Sequence, residues 1–118
     1  MTRLGRHAIA ELWDCDVEVL RDESLLDTLF RAACEAAGAT ILHSHFHKFG
    51  DEGGVTGVVV LAESHASVHT WPEHGYAAVD VFMCGNCDPQ KALNIIKRAT
   101  QAKIRDKVTL QRGVLENK

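Results

Sequence analysis

The apolar run at residues 57–62 limits the fold of this chain more than any other stretch. It reads Gly-Val-Val-Val-Leu-Ala, and three adjacent β-branched residues favour an extended strand over a helix. A strand of this composition is buried on at least one face. Ser64 follows the run after a single residue, Glu63, so we expect a rigid element to hold Ser64 in one place.

Alternating polarity predicts two strands before this run. Residues 6–14 alternate, and their uniformly apolar face consists of Ala8, Ala10 and Leu12. Residues 40–49 alternate as well, and one face of that strand carries Ile41, His43, His45, His47 and Phe49. The glycine-rich stretch at residues 50–54 predicts a turn, so the strand at 55–62 is expected to run antiparallel to the strand before it.

Three more strands are predicted after it. The sequence Pro-Glu-His-Gly at residues 72–75 is typical of a turn and predicts a hairpin between strands at 64–71 and 76–83. A last strand is expected at residues 107–111, followed by a loose polar tail.

Two helices are predicted between these strands. From Ser24 to Gly38 the apolar residues recur with helical spacing, and the glycine supplies a stop signal. Asp88 followed by Pro89 is typical of a helix start, and the second helix is expected to end near Lys103.

The predicted element order is βαββββαβ in one domain of residues 1–118. Because few strands are separated by crossover helices, the sequence predicts an α+β fold, a two-layer sandwich whose mainly antiparallel sheet carries both helices on one face. The other sheet face is expected to carry His7, Glu11 and the histidines of the second strand, or to meet a partner subunit.

Composition excludes several classes of protein. The net charge of −3 comes without a basic stripe, so no nucleic-acid partner is expected. No apolar run reaches the roughly 18 residues that a membrane helix needs, and no secretory signal is recognisable. We therefore expect a cytoplasmic protein, whose four cysteines are reduced thiols.

The row of His43, His45 and His47 raises the question of a metal site, because imidazole is the commonest zinc ligand. Alternate residues on a strand lie roughly 6.6 to 7 Å apart, which three ligands of one ion do not easily bridge. A polar sheet face or a dimer contact is the favoured interpretation, and no metal is expected.

Cys84 and Cys87 have the spacing of a redox pair or of half a zinc knuckle. Neither Cys15 nor Cys34 provides the second pair that a zinc knuckle needs. Redox chemistry stays open, and the alternative for Cys87 is a buried apolar role.

Ser64, His69 and Glu63 are the residue types of a hydrolase site. However, the Gly-x-Ser-x-Gly elbow is missing, and a separation of five puts Ser64 and His69 on opposite faces of an unbroken strand. They can meet only if the chain bends at Glu63, which predicts a turn or a strained peptide there. A strained peptide beside a hydroxyl suggests other chemistry: Ser64 attacks the Glu63 carbonyl, and β-elimination from the resulting ester leaves a pyruvoyl group.

Several motifs together resemble one known family. Residues 63–78 read Glu-Ser-His-Ala-Ser-Val-His-Thr-Trp-Pro-Glu-His-Gly-Tyr-Ala-Ala, and residues 80–85 read Asp-Val-Phe-Met-Cys-Gly. Both segments resemble the signature of the prokaryotic S-adenosylmethionine decarboxylase proenzymes. The resemblance extends to Gly-Arg-His at 5–7, Phe-His-Lys-Phe at 46–49, Gly-Val-Thr-Gly-Val-Val at 54–59 and Asp-Pro at 88–89, so it covers nearly the whole chain.

The resemblance implies a zymogen that cleaves itself between Glu63 and Ser64 into a β chain of residues 1–63 and an α chain of residues 64–118. It implies that Ser64 becomes a pyruvoyl group, the covalent cofactor that forms a Schiff base with the substrate. His69 is the implied proton acceptor in processing, and Cys84 is the implied proton donor in decarboxylation. Members of the family are dimers of αβ units, so a homodimer is expected.

The implied substrate is S-adenosylmethionine, whose decarboxylated product donates an aminopropyl group for spermidine synthesis. A positive sulfur favours aromatic faces and acidic neighbours, which makes Phe49, Trp71 and Glu73 candidate substrate contacts. Core packing is an equal alternative for the two aromatic residues. Close relatives that decarboxylate arginine or ornithine, and an unprocessed regulatory homologue, are the alternatives for the whole chain.

The sequence departs from the family pattern at two positions. Thr56 stands where relatives commonly carry serine; it keeps a hydroxyl that could assist the acyl shift but adds a methyl group beside the reacting peptide. Ala66 replaces a larger apolar residue, which leaves room near residue 64.

Overall fold

A computed structural model describes residues 2–116 of the chain. Six strands form one sheet in the order β2-β3-β4-β5-β1-β6, and every neighbouring pair is antiparallel. The elements are β1 (Thr2–Trp13), α1 (Val17–Leu20), α2 (Glu23–Ala36), β2 (Ile41–Lys48), β3 (Val55–Leu61), β4 (Ser64–Trp71), a 3-10 turn (Pro72–His74), β5 (Tyr76–Cys84), α3 (Pro89–Thr100) and β6 (Lys103–Leu115). The predicted α+β class and antiparallel sheet are confirmed.

The core lies between the helices and one face of the sheet. Ala8, Ala10 and Leu12 of β1 are buried as predicted, and so are Val55, Val59 and Leu61 of β3. From the helices, Leu26, Phe30, Leu93 and Ile96 are fully buried against them. The opposite face of the sheet, which we call the open face, carries no helix among the described residues.

Two helices were predicted, but the structure contains a third, the one-turn helix α1. Asp14 turns the chain out of β1 with a φ of 56°, and the Asp16 carboxylate then accepts a hydrogen bond from the Glu18 N–H, which caps α1. Leu20 of this single turn is fully buried. The turn was missed because it is too short to show a helical period.

The predicted limits of three elements are also wrong. The last strand was expected at residues 107–111 with a loose tail, but β6 runs from Lys103 to Leu115 and pairs along the whole of β1, which itself begins at Thr2. The helix expected to end near Lys103 ends at Thr100, because Gln101 adopts a left-handed conformation with a φ of 58°. β6 is exposed almost throughout, so burial produced no alternating pattern in its sequence.

The histidine row lies on the open face, as predicted. His43, His45 and His47 pair with Val60, Val58 and Thr56, which alternate with the buried residues of β3. The prediction for Ile41 is wrong, because an irregularity between Ile41 and His43 shifts the register. Ile41 therefore pairs with buried Leu61 and packs against the core.

Within residues 2–116, no helix is both long enough and apolar enough to cross a membrane.

Thr70 allows a direct test of the packing between β4 and the helices. Its buried hydroxyl donates to the Leu20 carbonyl and accepts from the Val55 N–H, both at 2.8 Å. Thr70→Val keeps the side-chain volume but leaves two buried polar groups unpaired, which should lower the free energy of unfolding by about 2 to 4 kcal/mol. Urea unfolding on a Ser64→Ala background, at equal protein concentration, measures this loss in an uncleaved chain.

Thr109→Val is the matched control for this prediction, because Thr109 is an exposed threonine on β6. It should change the free energy of unfolding by less than about 0.5 kcal/mol. Equal effects of the two substitutions would contradict the role assigned to the Thr70 hydroxyl.

Candidate active site

The connection between β3 and β4 holds the chain in a strained conformation. Leu61 pairs with Ser64, so Ala62 and Glu63 form a two-residue loop. Glu63 adopts a φ of 60°, in the left-handed region that residues with a Cβ rarely enter. The predicted bend at Glu63 is therefore present, and the strain lies at the residue whose carbonyl precedes Ser64.

Cys84 donates hydrogen bonds to both residues of the Glu63–Ser64 peptide. It ends β5 beside the loop, where its N–H donates to Ser64 Oγ at 3.1 Å and its thiol donates to the Glu63 carbonyl oxygen at 2.9 Å. A donor on the carbonyl oxygen draws electrons from the carbonyl carbon and favours nucleophilic attack there. Glu63, Ser64 and Cys84 form what we call the peptide end of the site.

A second group of predicted residues surrounds a pocket of about 350 Å³. Thr56 and His69 face each other across β3 and β4, and Thr56 Oγ1 lies 3.1 Å from His69 Nδ1. Phe49, Trp71 and Glu73 complete the lining. We call this group the pocket end of the site.

The two predicted aromatic residues at the pocket end are not core residues. Phe49 is 57% exposed and Trp71 is 41% exposed, although the Trp71 ring stacks on Tyr76 with centroids 5.3 Å apart. The alternative of ordinary core packing is therefore wrong for both. The Tyr76 hydroxyl donates to the Glu11 carboxylate at 2.8 Å, and burial, with help from that carboxylate, raises the pKa of Tyr76 to about 12.

The two ends of the site are far apart within one chain. Ser64 and His69 lie five residues apart on one regular strand, which corresponds to roughly 16 Å. Their side chains also point to opposite faces of the sheet, because the separation is odd. The bend at Glu63 therefore does not bring the two side chains together.

Asp80, near the middle of β5, is a further candidate residue, which the sequence patterns did not single out. On the open face its Oδ2 atom accepts hydrogen bonds from His7 Nε2 at 2.7 Å and from His65 Nε2 at 2.9 Å, and its Oδ1 atom accepts one from Ser67. Burial raises the pKa of Asp80, but the bonds from Ser67, His65 and His7 outweigh it, so the pKa lies below its ordinary value. A carboxylate inside the otherwise apolar strand of residues 76–83 was the available signal.

The Asp80 cluster has the dimensions of a metal site but the hydrogen bonding of a closed network. The ligand atoms of His7, His65 and Asp80 lie within 4.8 Å of one another. Arg112, which can only donate, bonds to His7 Nδ1 at 2.9 Å, so the His7 proton lies on Nε2 and points at the carboxylate. Because Nε2 of His7 carries this proton, it has no free lone pair with which to bind a cation.

The remaining cysteines do not form a second site. Burial raises the pKa of both Cys15 and Cys34 to about 11, so these thiols stay protonated and unreactive. A tight turn connects Cys84 with Cys87, whose N–H donates to the Cys84 carbonyl oxygen at 3.3 Å. The Cys87 side chain is partly buried against the core.

Comparison with known proteins gives consistent matches along the chain. Residues 6–113 match the family model described as S-adenosylmethionine decarboxylase. An S-adenosylmethionine decarboxylase proenzyme from Bacillus cytotoxicus is 46% identical over 114 residues, covering 96% of this chain and 87% of that protein. A proenzyme of the same name from Thermotoga petrophila is 48% identical over 114 residues, with the same coverage.

A solved structure also matches along the whole chain. The crystal structure of the adenosylmethionine decarboxylase from Aquifex aeolicus superimposes with a TM-score of 0.89 at 37% sequence identity. The match covers 100% of this chain and 98% of that one.

The lowered pKa of Asp80 makes a pH-dependent prediction. A carboxyl whose pKa is lower in the folded than in the unfolded chain contributes stability above its unfolded pKa and loses it as the pH falls through the folded one. Asp80→Asn should therefore destabilise the chain clearly at pH 7 and progressively less as the pH falls below the ordinary carboxyl pKa of 3.8. Guanidinium unfolding at pH 7 and at pH 3 measures the two differences.

The control is Asp106→Asn, which changes the same charge at an exposed position on β6. Its effect should be small at both pH values. A loss for Asp80→Asn that is the same at pH 7 and pH 3 would contradict the assignment of a stabilising charge to Asp80.

Proposed function

The chain belongs to the S-adenosylmethionine decarboxylase family, and we propose that it is a proenzyme that converts Ser64 into its own carbonyl cofactor and then decarboxylates S-adenosylmethionine. The product, S-adenosylmethioninamine, is the aminopropyl donor for spermidine. The observation that carries the proposal is the strained backbone at Glu63, whose carbonyl oxygen accepts a hydrogen bond from the Cys84 thiol with a sulfur–oxygen distance of 2.9 Å.

Cleavage begins with attack of Ser64 Oγ on the Glu63 carbonyl carbon. The peptide nitrogen leaves as the amine of residue 64, and an ester joins Glu63 to the serine oxygen. A base then removes the Cα proton of residue 64, and the electron pair expels the Glu63 carboxylate. Water replaces the nitrogen of the remaining unsaturated residue, ammonia leaves, and residues 64–118 begin with a pyruvoyl group.

The residues at the peptide end fit this chemistry. Positive φ at Glu63 destabilises the intact peptide, and its cost of about 1 to 2 kcal/mol is released when the bond breaks. The Cys84 thiol polarises the carbonyl that is attacked, while its N–H holds the attacking oxygen. A pyruvoyl group supplies a carbonyl that takes up the electrons left when CO₂ departs.

Cys84 has a second role once the chain is cleaved. Its thiol lies at the end of β5 beside residue 64, which places a transferable proton next to the reacting carbon. A thiol can give up a proton near neutral pH, as protonation of the product carbon requires. Cys84 is therefore the proton donor of the proposed reaction.

The pocket end supplies the base and the proposed contacts to the substrate. His69 is oriented by Thr56 Oγ1, so the threonine in place of the usual serine still makes this contact. The rings of Phe49 and Trp71 suit a sulfonium cation, and Glu73 adds a negative charge.

Because this pocket lies roughly 16 Å along β4 from Ser64, we assign the two ends of one working site to two chains. A homodimer of αβ units with two-fold symmetry would use the same surface twice and form two sites. The open face supports this arrangement, since Ile9, Val60 and Leu110 lie on it and are each about two fifths exposed.

Release of labelled CO₂ tests the reaction. Purified protein incubated with carboxyl-labelled S-adenosylmethionine, arginine or ornithine should release label only from S-adenosylmethionine. Release from arginine or ornithine alone would establish a related decarboxylase instead. No release from any of the three by an uncleaved chain would support the regulatory homologue.

Co-expression of two inactive variants tests the assignment of His69 to a second chain. Ser64→Ala and His69→Ala should each remain uncleaved when expressed alone, because one lacks the nucleophile and the other lacks the base. Expressed together with different affinity tags, they should yield cleaved His69→Ala chains, since the partner supplies His69. Mass spectrometry of each tagged chain identifies which one is cut.

Two results would contradict this assignment. If His69→Ala alone is cleaved as fast as the unmodified chain, His69 is not the base. If co-expression gives no cleaved chain although mixed dimers are recovered through both tags, His69 acts within its own chain.

A further inference from the structure

The Asp80 cluster connects the two segments that cleavage separates. His7 lies in residues 1–63, whereas His65, Ser67, Asp80 and Arg112 lie in residues 64–118. The bond from His7 Nε2 to Asp80 Oδ2 is one of the shortest side-chain contacts between the two segments, at 2.7 Å. The cluster is also half-buried, so water competes weakly for its hydrogen bonds.

Cleavage removes two restraints from residue 64. The covalent link through the Ala62–Glu63 loop is lost, and the serine oxygen that the Cys84 N–H binds leaves with the Glu63 carboxylate. Residue 64 is then the first residue of a chain, a position that frays unless other contacts hold it. Decarboxylation requires the opposite, because a displacement of about 1 Å at a reacting group can cost roughly 100-fold in rate.

The next residue supplies the missing restraint. His65 lies opposite Phe82 in the β4–β5 ladder, and its Nε2 atom bonds to Asp80 at 2.9 Å. Its ring is also flanked by His7, edge to face at 5.6 Å, and by Phe82 at 5.9 Å. The side chain adjacent to residue 64 is therefore fixed in both position and orientation.

Asp80 is in turn fixed from its other side. Arg112 lies 5.6 Å above the Phe82 ring and bonds to His7 Nδ1, which sets the tautomer of His7 and aims its N–H at the carboxylate. Ser67 occupies the other carboxylate oxygen. The carboxylate cannot turn away from His65 without breaking these bonds.

We propose that Asp80 is a positioning residue for decarboxylation, which through His65 holds residue 64 in place after cleavage and ties the β chain to it through His7. This inference rests on the proposed function, since it concerns the terminus that self-cleavage creates. It assigns Asp80 an effect on turnover and none on substrate affinity, because Asp80 is not among the residues that line the pocket end.

Asp80→Asn and His65→Ala test the proposal in the cleaved protein. Both should lower kcat, counted per pyruvoyl-terminated chain, by about 10- to 100-fold and change KM by less than about twofold. His65→Gln retains an N–H donor toward Asp80 and should recover most of the lost kcat. The double variant should be little worse than either single one, because both act through one contact. Asp106→Asn, which changes an exposed charge on β6, is the control.

Amide hydrogen exchange gives a readout that does not depend on activity. Asp80→Asn should speed exchange at residues 65–67 and leave the central residues of β3 and β5 protected. If the protein loses overall stability but keeps its kcat and its protection at residues 65–67, Asp80 is only structural and the proposal is overturned. If the unmodified protein is cleaved but releases no CO₂ from S-adenosylmethionine, the proposed function fails, while hydrogen exchange still decides whether Asp80 holds the terminus.

Discussion

The structure of the site depends on a tight connection between two buried strands. β3 and β4 are joined by only Ala62 and Glu63, so the second residue of the loop must take a positive φ although it has a side chain. The core on both strands prevents the loop from relaxing, because Leu61 and Ala66 are fully packed on either side of it. A peptide bond at the end of two interior strands is thereby kept in a conformation that cleavage would relieve.

The two faces of the sheet carry different kinds of residues. The helix face carries the apolar residues that fix the strands, and a single buried hydroxyl, Thr70, connects β4 with α1 and β3. The open face carries the Asp80 cluster, His69 and exposed apolar side chains. Because Cys84 shares the face of β5 that carries Asp80, a second copy of the chain packed on the open face would cover both Cys84 and His69.

The sequence was sufficient where burial leaves a regular pattern. Alternation in β1 and β2, the apolar run of β3 and helical spacing in α2 predicted the antiparallel sheet and its helix layer. The sequence was insufficient for β6, because this strand is held by pairing with β1 and is not buried. It was also insufficient for α1, because a single turn fixed by a cap shows no helical period. The motifs selected Glu63, Ser64, His69 and Cys84, but distances across strands are not readable from spacing. For that reason the convergence of two histidines on Asp80 emerged only from the register of the strands. For Ser64 and His69, the structure adds that β4 runs unbroken between them.

The mass of the purified, untreated protein tests most directly whether the Glu63–Ser64 peptide is the precursor of a cofactor. If it is, the spectrum shows two chains, residues 1–63 and residues 64–118, the second lighter by one ammonia than a simple hydrolysis fragment and without a free terminal amine. A single full-length species under conditions where the protein is folded would contradict a precursor role for this peptide. So would a second chain that begins with an intact serine.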